Sequence, residues 1–204
     1  MSGLFRNFND DPRMQRAALS SKYNAARMNL LLVVIFTVIN IITLSTGFGG
    51  YFLFSASVPY LITELGMIMC GKYPAEYYEG MDMSLLLDKS SLIFFVIIAL
   101  LVTSLYLICW FFSKKKGARW LKFALALFSA DAMVMILMGN RNTLLFDAVF
   151  HVWILFILVS GIKAYGTLRA LDKEDKLIEV KYNEVPDEGN VDEEVETLDA
   201  DYEE

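Results

Sequence analysis

Asp131, Asp147 and His151 lie deep within long apolar runs and carry whatever chemistry the sequence offers. Asp147 and His151 are four apart, so on a helix they share a face. Asn140-Arg141-Asn142 reads as a tight turn between two apolar segments. A hairpin folded at Arg141 brings positions 131 and 151 to the same depth. Each then lies eight residues from its helix end, or ~12 Å at helical rise. Asp131 and His151 are therefore expected to meet, with Asp147 one turn nearer the hairpin and within reach of Arg141. Three uses compete for such a cluster. It can be a proton or cation site in which His151 changes charge. It can fasten helices together, in which case Asp131→Asn is tolerated in full. It can also bind a polar group on a partner subunit.

Other chemistry fails for want of parts. His151 is the one histidine, so a zinc site with two or three histidines is impossible in one chain. The sequence has no HExxH and no GxSxG. Two aspartates are available for an intramembrane acid protease, but they lack any recognisable flanking pattern. Gly66–Lys72 (GMIMCGK) fits the first seven positions of a phosphate-binding loop, but Tyr73 stands where Ser or Thr must hold Mg²⁺. Neither catalytic residues, nor a metal site, nor a cofactor is expected. Cys70 and Cys109 fall at different depths and cannot pair with each other.

The elements that must position this cluster follow from composition. Of 204 residues, 56% are hydrophobic and 21% charged, with a net charge of −6. That apolar share exceeds what one small soluble core absorbs. The acidic balance argues against nucleic acid as a partner. Four segments of about twenty residues are each long enough for a ~30 Å hydrocarbon layer: about 28–48, 91–112, 118–139 and 143–166. Backbone in lipid must satisfy its own hydrogen bonds, so all four are expected as helices. The first apolar run is too long for a signal-peptide core, and Ser55-Ala56-Ser57 lies too far beyond it to serve as a cleavage site, so it reads as a retained anchor.

Fifteen of the eighteen Lys and Arg residues fall on one side of a four-pass topology: five in 1–27, five in 114–122 and five in 163–181. Lys72, Lys89 and Arg141 take the other side. The positive-inside rule then predicts both termini in the cytoplasm. Trp110, Trp120 and Tyr165 sit near the predicted inner boundary, where amphipathic rings prefer to lie.

The connection at 49–90 is too apolar for a solvated loop. Val58, Leu61, Ile62, Leu65, Ile68 and Met69 follow helical spacing, with Ser57 and Pro59 at the start and Gly71 at the stop. The run is too short to span, so 57–80 is expected to hold an interfacial or re-entrant helix on the outer side. Residues 1–27 read as a basic lead-in with a helix start at Asp11-Pro12. Residues 167–204 form an acidic tail; from Arg169 onward it has fifteen acids and four bases, and it is expected to be largely disordered after about 186. Asn40, Thr103 and Ser104 add weaker polar groups, and Ala126/Ala130 and Ser160/Ala164 permit close helix contact.

Residues 51–60 (YFLFSASVPY) and 150–171 (FHVWILFILVSGIKAYGTLRAL) resemble small, uncharacterised four-helix membrane proteins of Gram-positive, Firmicutes-type bacteria. The resemblance implies a bacterial plasma membrane and no activity. The expectation is an all-α polytopic membrane protein with four transmembrane helices and both ends inside. Its surroundings are the lipid bilayer and either a protein partner or further copies of itself. It reads as a non-enzymatic accessory or interaction subunit. The rival reading is a small oligomeric transporter or channel built on Asp131 and His151.

Overall fold

The computed structural model describes residues 12–48, 52–138 and 144–183, which are all-helical and contain no strand. Five α-helices follow one another: α1 Pro12–Thr46, α2 Ser57–Met69, α3 Leu92–Lys116, α4 Ala118–Met138 and α5 Leu144–Asn183. Three short 3₁₀ turns (Ala75–Tyr78, Met83–Leu85, Lys89–Ser91) link α2 to α3. Helices α1, α3, α4 and α5 are each long and apolar enough to cross a membrane; α2 is apolar but shorter.

The helix bounds differ from the apolar runs in an instructive way. Helix α1 begins at Pro12, sixteen residues before the apolar stretch, and runs unbroken into it. Proline suits the first helical turn because its missing N–H has no partner to lose there. Beyond it, no glycine or proline interrupts the chain until Gly47. The basic lead-in from Pro12 onward is therefore one helix with the first apolar run. Likewise α3 extends through Lys116 and α5 through Asn183, since hydropathy marks where lipid suits a helix and not where its hydrogen bonds end. Residues 1–11, the turn around Arg141 and the tail after 183 lie outside the described residues.

Helix α1 buries Tyr23, Ala26, Leu30, Val33, Val34, Thr37, Asn40 and Ile41, a stripe at helical spacing. Against it pack Tyr106 and Cys109 of α3, Leu121, Ala124 and Phe128 of α4, and Ile154 and Leu158 of α5. The helices lie close where side chains are small. A Cβ on Gly161 would overlap that of Ala26, so α1 and α5 approach there by virtue of a glycine. Helices α3 and α4 are joined through Gly117 alone, at φ 73°, where a side chain would also strike the Tyr165 hydroxyl. Tyr23 donates to the Ser113 carbonyl at 2.7 Å, and Arg27 donates to the Ser113 hydroxyl at 2.9 Å while lying over the Trp110 ring. These contacts tie α1 to α3 at what we call the turn end. The opposite end, where α1 leads towards α2, is the loop end.

The chain divides into two compact units, Met1–Leu168 and Arg169–Glu204. Within the second, residues 169–183 continue as helix, with Leu177, Ile178 and Val180 exposed.

Candidate functional site: a buried Asp–His pair at the start of a short helix inside the bundle

The chain leaves α1 at Thr46 and turns back along it. Phe52 N–H donates to Asn40 Oδ1 at 2.8 Å. Asn40 Nδ2 in turn donates to the Phe52 carbonyl at 2.9 Å and to the Ser55 hydroxyl at 2.7 Å. Deeper, Ala56 N–H donates to Thr37 Oγ1 at 2.8 Å, and that hydroxyl donates to the Val33 carbonyl at 2.6 Å. Thr37 lies nine residues below the end of α1, or ~13 Å at helical rise. The descending segment thus reaches far into the helix bundle with its backbone satisfied by α1, as non-helical chain at membrane depth requires.

Helix α2 starts at this depth and climbs back toward the loop end. Its Gly66 sits against Phe95 in the first turn of α3, where a Cβ would come within 2.6 Å of the ring-bearing carbon. The Met69 carbonyl accepts from Leu87 N–H at 2.8 Å, and the Tyr78 hydroxyl donates to the Ile68 carbonyl at 3.0 Å. The element expected to be interfacial or re-entrant therefore starts inside the helix bundle.

A helix beginning in the bundle interior presents unsatisfied N–H groups and the positive end of its dipole to apolar surroundings. Its own flank gives no help: Ala56 is the N-cap residue, and no side-chain cap bond is made there. Asp131, on α4, supplies the cap. Its Oδ2 accepts from Ser57 N–H and its Oδ1 from Val58 N–H, each at 2.8 Å. A carboxylate there is stabilised by both the hydrogen bonds and the dipole.

His151 of α5 completes the cluster. Its Nδ1 lies 2.8 Å from the Asp147 carbonyl, which can only accept, so Nδ1 carries hydrogen. Its Nε2 lies 3.1 Å from Asp131 Oδ2 and 3.4 Å from the Ser57 hydroxyl. A hydrogen bond between Nε2 and Oδ2 needs one proton on that line. With the proton on nitrogen the pair is imidazolium–carboxylate; with it on oxygen both groups are neutral. The pair has no net charge in either form, which suits its setting. Asp131 and His151 are each 2% exposed. The Phe128 ring stacks on the imidazole, with centroids 4.8 Å apart and planes 12° from parallel.

Asp147 is buried too, but its carboxyl is not part of the Asp131–His151 contact. Its carbonyl orients His151, while its Oδ1 has no hydrogen-bond partner among the described residues. Arg141, its expected neighbour, is outside the described residues. On the α2 side Asp147 lies near Tyr60, whose phenol is pushed up to about 12 by burial first, then by Glu64, Tyr73 and Asp147.

The hairpin arithmetic thus places Asp131 and His151 in contact, but sequence reasoning missed what they hold. The groups capped are the backbone amides of Ser57 and Val58, which have no sequence signature. The α1 clamp was partly legible: Thr37 and Asn40 stand three apart on the buried stripe of α1. Among the described residues Thr103 bonds within its own helix, to the Ala99 carbonyl. Among the described residues no three His, Cys, Asp or Glu side chains cluster as a metal set, and Cys70 and Cys109 are free and buried. No protein family, curated protein or solved structure matches the chain in comparisons with known proteins.

Proposed function

We propose that the chain is a non-catalytic accessory or interaction subunit of a bacterial plasma membrane, with both termini in the cytoplasm. Four apolar helices are consistent with an integral membrane protein. The one-sided distribution of Lys and Arg supports that orientation, in which the turn end is inside and the loop end outside. The observation that carries the non-catalytic reading is the mutual satisfaction of Asp131 and His151. Both Asp131 oxygens accept from the first amides of α2, His151 Nε2 bonds to Asp131, and His151 Nδ1 is held by the Asp147 carbonyl of its own helix. A group occupied in this way is a fastener between α2, α4 and α5, and catalysis or transport would require it to let go.

The test is native mass spectrometry of the protein extracted gently from its own membrane. A foreign subunit in fixed ratio is the expected result. A pure homo-oligomer would overturn the accessory reading in favour of a transporter or channel that uses Asp131 and His151. A lone monomer would overturn it as well.

A further inference from the structure

A groove of about 400 Å³ runs between α2 and the loop-end half of α4. It extends along α2 from Val58 to Ile68, ~15 Å at helical rise, and Leu65, Val134 and Met138 form part of its wall. Its lining is apolar except for one carboxylate, Glu64. That side chain is half-buried and has no ion-pair partner among the described residues. The titratable groups that sense it from nearby are the phenols Tyr60 and Tyr73, which are neutral and offer no countercharge.

We propose that this groove binds a lipophilic amine, with its alkyl body along α2 and its ammonium on Glu64. Pockets of this kind combine an apolar wall with one or two placed polar groups that fix the ligand's orientation. An unpaired carboxylate in apolar surroundings is costly, and a cation brought to it removes that cost. A neutral or anionic amphiphile gains the same apolar contact without the charge pairing. A zwitterionic lipid headgroup brings its phosphate together with its amine, and that phosphate is repelled by Glu64. The occupant is therefore a free amine dissolved in the bilayer. The groove is separate from the Asp131–His151 cluster except at Val58, whose amide is capped by Asp131. The proposal does not depend on the accessory reading.

The experiment uses the full chain in nanodiscs of phosphatidylglycerol, with radiolabelled decylamine as the probe and empty discs subtracted. Saturable binding is expected, competed by unlabelled decylamine and not by decanol or decanoate. Glu64→Gln should weaken it about tenfold or more, the size of losing one charge-assisted bond. Val134→Phe, on the opposite wall, should abolish it by filling the groove. Binding that does not saturate, or that decanol competes equally, overturns the proposal on the wild-type protein alone. Indifference to both substitutions does so too. Loss of the signal when phosphatidylethanolamine is added to the discs would reassign the groove to a lipid headgroup.

Discussion

Asp131 performs a task that a residue beside Ser57 usually performs, and it does so from another helix. This changes what its substitution should cost. A fastener that touched only His151 would tolerate Asp131→Asn, since an amide still hydrogen-bonds. The observed carboxylate accepts two backbone N–H groups at once. An amide has one acceptor oxygen, so Asp131→Asn turns an NH₂ group toward one of them. That leaves a buried donor unsatisfied, and we expect a loss of ~1–3 kcal/mol, read as a lowered Tm in thermal unfolding. His151→Phe keeps the stack on Phe128 but strips the carboxylate of its partner. The two changes together should be non-additive, with a coupling of ~0.5 kcal/mol or more. Strict additivity would mean that the 3.1 Å contact contributes nothing.

At the scale of elements, α2 is the unusual one. It is a short helix whose start lies in the bundle interior, held by Thr37 and Asn40 through the preceding loop and by Asp131 through its first amides. Its groove face carries Glu64, whose carboxyl is pushed up by burial. A carboxyl raised in the folded state favours the protonated form there, so ionisation opposes folding. Wild type and Glu64→Gln should therefore be equally stable below the ordinary carboxylate range. As pH rises through the raised value toward neutrality, wild type should fall below the variant in unfolding temperature. Helix approach gives a second comparison. Gly161→Ala must push α5 off Ala26 and should cost ~1–3 kcal/mol. Gly166→Ala meets nothing within 4 Å and, in the same helix, should be neutral or mildly stabilising. How much of this was legible in the sequence follows from the kind of signal each feature leaves. The four long helices follow from apolar run length, and the Asp131–His151 meeting follows from counting residues about a hairpin. The Gly161–Ala26 contact was not legible, because small residues occur at such spacings on every helix; the sequence pointed instead to Ala126/Ala130 and Ser160/Ala164. The cap itself was illegible because its acceptor and its donors are 73 and 74 positions apart and the donors are main chain.

At the scale of the whole molecule, the proposed topology is four spans with the basic flanks on one side. Cys70 and Cys109 are both buried, so introduced cysteines can report topology over a low background. With a membrane-impermeant maleimide on intact cells, Lys89→Cys should label and Ser20→Cys should label only after lysis. The reverse pattern would invert the orientation. The buried Asp131–His151 pair serves to hold the start of α2 in place. The most direct measurement is amide hydrogen exchange across residues 52–69 of the full-length protein in nanodiscs, for wild type and Asp131→Ala. Faster exchange is expected in that segment, centred on Ser57 and Val58, with α1 and α3 unchanged at their turn ends. Undiminished protection of 52–69 without Asp131 would contradict it.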